Sequence, residues 1–370
     1  MKIKKIIAMS TVAGVALAGL AFSSANAEPV ANSYVLVGSD TLQDSTNALI
    51  NGTSASGPNV RITAGGATLG NFDAFGSAAI QTKPYGPFFA RPNGSGGGVT
   101  ALRASIDGTR TYTVNGNATP AKAIPAQVDI ARSSSGPGTN ANADGKLLYV
   151  PFARDAVGYV YKGGNASWAN LTKEQLREIF DGTVTTVGGL TIKPRLPQTS
   201  SGTRSFFLGA LGYTGTTLSA PAVNDTNNVT AENDATVLAD GELIPFSAAS
   251  WVAQANGVTG TNTTLAANVS FGSPVAGQVA FTGTAPALEP SSAFYANTTF
   301  GRETYLVVER ARVTTGDAKY DAGLAGLVNT SSTSSLTNFG AFATTPGAVK
   351  KKFGFLAPLS STPIPAYATI

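Results

Sequence analysis

The sequence predicts an α/β protein, and three observations carry that reading. Short apolar runs of strand type alternate along the chain with segments of helical period. Helical segments carry their own start signals, the clearest being Thr172 three residues ahead of Gln175. Turns rich in Ser, Thr and Gly recur at the ends of the strand-like runs. A β-rich sandwich would also suit the Thr, Gly and Asn content, but the capped helices favour α/β with mostly parallel sheets.

Tyr34–Gly38 reads as a buried strand, and Ser39-Asp40-Thr41-Leu42-Gln43 opens a helix reaching about Ile50. Ser39 or Asp40 is the expected N-cap, with Gln43 placed to complete a capping box from Asp40. Gly94–Gly98 leads into a helix over Val99–Ser105, and Val128–Ala131 is a short strand running into Arg132 and three serines. Leu147–Val150 and Ala156–Tyr161 read as two apolar strands, one of them crossing between two halves of the molecule. The helix over Thr172–Asp181 has Leu171 to staple against Leu176 and Gly182 to take the left-handed C-terminal position. Leu176, Ile179 and Phe180 give its buried face. Thr191–Leu196 is strand-like, and Thr199–Thr203 opens a helix carrying Phe206, Phe207, Ala210 and Leu211. The Thr/Asn-rich stretch between Gly212 and Asp240 reads as irregular. Beyond it are a short helix at Trp251–Ala255, a turn-rich hairpin at Val258–Asn268, a returning strand at Thr304–Glu309 and a helix at Asp317–Val328. No internal repeat is visible.

Composition narrows the function. Neither Cys nor His occurs in the 370 residues, which removes disulfide frameworks, thiolate and imidazole metal sites, thiol nucleophiles and Ser-His catalysis. No cofactor is expected. Charged residues are only 12%, about half the usual ~25%, so Ser, Thr, Asn and Gly must supply most of the polar surface. The formal net charge is +4, but Lys2, Lys4 and Lys5 stand in an N-terminal leader, and no basic run exceeds Lys350-Lys351-Lys352. Nucleic-acid binding, which requires many phosphates to be neutralised, is not expected.

The leader has a basic start at Met1–Lys5, an apolar run over Ile6–Phe22, and the small-residue pattern Ala25-Asn26-Ala27 before Glu28. The run is shorter than the ~20 residues of a membrane span, so 1–27 reads as a signal peptide cleaved near Ala27. The expected product is secreted, periplasmic or at the cell surface, and long enough for two domains or one bilobal body.

Four small-residue turns are the candidate chemistry: Ser39-Asp40-Thr41, Gly94–Gly98, Ser133–Ser135 and Ser201-Gly202-Thr203. A helix start leaves N–H groups unpaired and carries roughly half a positive charge. Gly permits close backbone approach, and Ser or Thr adds a hydroxyl. Taken singly, each turn is no more than a cap; gathered at one crevice they would form a cage of neutral donors for an anion.

The resemblance to a known family enters at these residues. Val37–Asp44, Arg91–Val99, Val128–Ser134 and Leu196–Arg204, in that order, resemble the phosphate-binding proteins of ABC importers, in particular an actinobacterial-like branch. Asn170–Gly182 and Ile244–Gln254 also fit. The resemblance implies a two-lobed type II periplasmic-binding-protein fold whose hinge is two crossing segments. Lobe one would take 28–152 and 303–370, and lobe two 153–302.

It further implies that inorganic phosphate or a similar tetrahedral oxyanion is held between the lobes by a monomer and passed to an ABC permease. Thr41 and Leu42 match the first-loop contacts, Ser95 the serine of the Gly-rich loop, and Ser201, Gly202 and Thr203 the start of the ligand-facing helix. Ser133 and Ser134 stand in the third turn, with Ser134 where the family carries a ligand-facing Asp. Pro197 stands where the family carries an Arg, and Arg204 is the replacement cation to expect. Asp40 either restores the missing acceptor or caps its helix.

Two other classes fit the sequence less well. An enzyme is not expected, because neither Ser95 nor Ser201 has the surround of a nucleophile elbow and Gly94–Gly98 lacks the ending of a P-loop. The alternative is a secreted surface or matrix protein built on a binding-protein fold without a transport role, which the low charge and altered ligand positions would suit.

Overall fold

Strand β1 (Tyr34–Gly38) is buried along its whole length, as its unbroken apolar sequence requires. It belongs to a computed structural model that describes residues 31, 33–215, 218, 223–225, 230–264 and 266–370. The leader lies outside these residues. After β1 come α1 (Gln43–Asn51), β2 (Leu69–Asn71), α2 (Gly94–Asp107) and β3 (Ile130–Ser133). A long strand β4 (Leu147–Lys162) then leads to α3 (Lys173–Asp181), β5 (Lys193–Gln198), α4 (Gly202–Ala210) and β6 (Val223–Asp225). The chain continues through β7 (Glu242–Ser247), α5 (Ala248–Ala255), β8 (Val269–Gly272) and β9 (Gly301–Glu309). It finishes with α6 (Ala322–Leu327), α7 (Pro346–Lys352) and β10 (Ile364–Ala366).

These ten strands form one mixed sheet in the order β6-β5-β7-β4-β9-β3-β1-β2, with β8 and β10 also paired to β4. The flanks are parallel, β2-β1-β3 on one side and β7-β5-β6 on the other. The centre, where β4 meets β9 and β7 and where β9 meets β3, is antiparallel. Parallel pairing, expected for most of the sheet, is thus confined to the strands joined by crossover segments. β4 and β9 are the strands that pass between the two halves and must run against their neighbours.

β4 is one strand of 16 residues, not the two short ones read from the sequence. Pro151, Arg154 and Asp155 break its apolar run, but each is accommodated. Pro151 sits beside the register shift between Thr304 and Tyr305, where the ladder is already interrupted. Arg154 pairs with Glu303 at 2.9 Å, and Asp155 pairs with Arg302 at 2.8 Å. Residues Leu147–Ala156 of β4 pair with β9, and Val157–Lys162 pair with β7 and β8.

The cores follow that division. On the first half, Leu36, Leu49, Ile130, Phe152, Leu306 and Val349 pack on one face of the sheet. Val35, Val37, Leu102, Ala131, Tyr149 and Val307 pack on the other, by the two-residue alternation of the strands. The second half holds Val157, Tyr159, Leu176, Ile179, Phe180, Leu196 and Phe207. Each such side chain contributes about 1.5–3 kcal/mol on burial. Helix α5 serves both halves: Trp251 packs with Phe246 and Val160, while Ala249 and Ala253 join the first-half cluster.

The capping box of Thr172 and Gln175 forms, and Gly182 takes φ +77°. The expected helix at Asp317–Val328 is shortened to α6, capped by the Asp321 side chain. No hairpin forms over 258–268 among the described residues; these are turns before β8. No helix among the described residues is long and apolar enough to cross a membrane.

Candidate functional site

The first turn is shaped from beneath by Arg132, fully buried on β3. Its Nε donates to the Ser39 carbonyl at 3.0 Å, and Nη2 donates to the carbonyls of Gly38 at 3.2 Å and Phe72 at 2.8 Å. Four carbonyls, the fourth that of Leu36 at 3.4 Å from Nη1, and the Asn71 side chain saturate the guanidinium, so the Arg fixes the loop and has little left for any other group. Ser39 and Thr41 are thereby held with their hydroxyls over the end of β1. Asp40 does not cap α1: Leu42 occupies the cap position without a side-chain bond, and Gln43 turns its Oε1 to the Ala74 N–H.

The second turn is part of α2, whose first turn contains the glycines themselves. Gly98 lies so close to β1 that an added Cβ would stand 2.7 Å from Gly38 Cα, which explains a residue without a side chain there. Ser95 accepts from the Ser134 N–H at 2.9 Å and lies 3.1 Å from the Ser134 hydroxyl. From the second half, Ser201 caps α4 by accepting from the Arg204 N–H at 2.9 Å. Gly202 follows it, and a Cβ there would meet Ser95 Oγ at 2.3 Å and Ser134 Oγ at 2.5 Å. The Gly96 N–H donates to the Ser200 carbonyl at 3.1 Å, so the two turns touch directly.

What these donors surround is a carboxylate of the chain itself. Glu232 is fully buried and receives both sides of the crevice. Its Oε1 accepts from Ser39 Oγ at 3.0 Å, Thr41 Oγ1 at 2.7 Å, the Thr41 N–H at 3.4 Å and Ser134 Oγ at 3.5 Å. Its Oε2 accepts from the Thr203 N–H at 3.1 Å and from the Ser201 hydroxyl. The nearby cation is Arg302 of β9, 3% exposed, whose Nη2 donates to Thr203 Oγ1 at 2.9 Å. Its Nε and Nη2 also bond Asp155 Oδ2 at 3.0 and 2.8 Å. Asp155 in turn accepts from the Ala249 N–H at the start of α5, at 3.0 Å.

Charge in this site is strongly coupled. Burial pulls the Glu232 carboxyl upward, but hydrogen bonding to Asp40, the Arg302 charge and the hydroxyls of Ser201 and Thr41 outweigh it and hold it at about 2. Burial, followed by the charge of Glu232 and the hydrogen bond to it, pushes Asp40 well above the ordinary carboxylate range. The two carboxyls are thus driven apart, Glu232 toward its charged form and Asp40 toward its protonated form. Asp40 Oδ2 also accepts the Glu232 N–H at 2.8 Å, so the residue positions Glu232 through its backbone.

Of the residues singled out in the sequence, Thr41, Ser134, Ser201 and Thr203 bond this carboxylate, while Ser95, Gly202 and Asp40 stand around it. Three are placed elsewhere. The Leu42 side chain is in the first-half core. Ser133 Oγ donates to the Ser135 carbonyl at 2.7 Å. Arg204, on the far side of its helix, donates Nη1 to the Pro197 carbonyl at 2.7 Å. Arg302 is the cation at the cage in its stead. Sequence reasoning missed Glu232 and Arg302, and named Ser39 only as part of its turn. The only available signals were a Glu within an irregular Thr/Asn-rich stretch and an Arg at the edge of a returning strand.

A family model described as the PBP superfamily domain matches residues 27–306, and the chain belongs to that superfamily. Solved structures similar to it include an ABC-type phosphate transport receptor from Vibrio cholerae, at 16% identity and TM-score 0.47, with 88% of this chain and 100% of that one covered. A human phosphate-binding apolipoprotein is 15% identical, with TM-score 0.47 and coverage of 91% and 92%. A phosphate-binding protein from Stenotrophomonas maltophilia is 13% identical, with TM-score 0.40 and coverage of 75% and 79%. No curated protein matches.

Proposed function

We propose that the chain is an exported, monomeric receptor that captures a tetrahedral oxyanion, inorganic phosphate in the first instance, and presents it to an ABC permease. Lobe one takes 28–152 and 303–370, lobe two takes 153–302, and β4 and β9 are the segments on which they close. The observation that carries the reading is the convergence of hydroxyls and amides from both sheet halves on one anionic group. An oxyanion in that position would exchange its hydration for aligned neutral donors, with Arg302 already balanced by Asp155. Binding without chemistry fits a chain with no His or Cys, whose Ser95 and Ser201 hydroxyls are engaged in the cage itself.

Calorimetric titration of the chain with phosphate, sulfate and arsenate tests this. Phosphate and arsenate are expected to bind alike, and Thr41→Val to weaken phosphate by about tenfold or more through loss of one hydroxyl donor to a charged group. Failure of all three anions to bind the unmodified chain at millimolar concentration would overturn the receptor reading.

A further inference from the structure

Glu232 has a role that the receptor reading does not absorb. The donors that reach across the crevice are already engaged by its carboxylate: Ser39, Thr41 and Ser134 through Oε1, Ser201 and Thr203 through Oε2. Two anions within one dry cage repel each other, and the same hydroxyls and amides cannot serve both. We propose that Glu232 is a built-in competitor anion, which holds the two sheet halves together and must leave the cage before an external oxyanion can enter. The proposal rests on the oxyanion-binding reading of the cage.

The way Glu232 is attached suits that role. Thr230–Gly241 contains no helix or strand, so no regular element has to break for the carboxylate to withdraw. Apart from the cage, Ala235 and Leu238 bury the segment against Phe246 and Trp251, and the bonds of its immediate neighbourhood include three. The Gln198 N–H donates to the Thr230 carbonyl at 3.0 Å, and Gln254 Nε2 donates to the Asn233 carbonyl at 2.6 Å. The third is the Glu232 N–H to Asp40 Oδ2. A buried carboxylate serving only the stability of one core would find its partners within that core. Glu232 instead draws its partners from turns on β1, β3 and β5, which belong to opposite flanks of the sheet. By closing the crevice with its own charge, the chain reduces the fraction of molecules competent to bind and lowers apparent affinity by that fraction.

The test compares phosphate binding by the unmodified chain and by Glu232→Ala, with circular dichroism to verify folding. Displacement requires the variant to bind phosphate at least about tenfold more tightly. Equal or weaker binding by the variant would overturn the competitor role and leave the oxyanion reading standing; no binding by either folded protein would remove both. Should Glu232→Ala not fold, hydrogen exchange on the unmodified chain decides. The Glu232 amide is expected to lose protection as phosphate is added, and an amide that stays protected would refute displacement.

Discussion

At Gly202 a single methyl group would land between Ser95 Oγ and Ser134 Oγ, at 2.3 and 2.5 Å from them. Both hydroxyls are buried and bonded to each other, so neither has room to retreat. Gly202→Ala is expected to cost about 1–3 kcal/mol of stability by overpacking, measured by urea unfolding, and to abolish measurable phosphate binding in the same preparation. In the sequence Gly202 stood only as a member of the Ser201-Gly202-Thr203 turn, and its close fit against Ser95 and Ser134 is a property of the assembled fold. Ser134 was singled out by its place in the third turn and by the resemblance, in which it stands where the family carries an Asp. Arg204 was misleading, since a residue's phase on the first helical turn, which directs it to the Pro197 carbonyl, is decided by how α4 docks. Glu232 left no local trace, because nothing near it in the chain distinguishes a solvated carboxylate from one folded into a cage formed by residues up to 193 positions away.

Elements whose signals are local were read correctly, and α3 shows why. Its N-cap, its third residue and its C-terminal Gly satisfy the helix ends within the segment. Thr172→Ala is expected to cost about 1 kcal/mol in chemical denaturation and to leave oxyanion affinity unchanged, since α3 does not touch the cage. The strand β4 defeated the same style of reading. Arg154 and Asp155 look like a strand boundary until Glu303 and Arg302 arrive from β9 to neutralise them, and those partners are nearly 150 residues away. The cap of α1 failed for a related reason: Asp40 was drawn to a long-range partner, the Glu232 N–H, over the nearest backbone donors.

At the scale of the whole molecule, the coupled pair at the crevice sets how stability responds to pH. Glu232 is held at about 2 when folded against an ordinary 4.5, so its contribution is fully present above pH 4.5 and is lost as pH falls toward 2. The shift corresponds to on the order of 3 kcal/mol. Asp40 works in the opposite sense: its folded value is raised, so its share is present below the ordinary 3.8 and is lost as pH rises through the folded value. Unfolding free energies measured across pH should therefore show an acid limb that Glu232→Gln flattens and a fall toward higher pH that Asp40→Asn flattens. An acid limb unchanged in Glu232→Gln would place the responsible carboxylate elsewhere.

The α/β class and the order of the four turns were legible because they rest on periodicity and turn chemistry, whereas the meeting of those turns is a property of the assembled sheet. That meeting is the claim on which the functional reading depends. Its most direct test is a crystal structure of Glu232→Ala grown with arsenate, with the arsenic located by its anomalous scattering. The expected position lies within hydrogen-bond distance of both the Thr41 and Thr203 amides. Arsenic bound anywhere else, or to only one side of the crevice, would contradict the account.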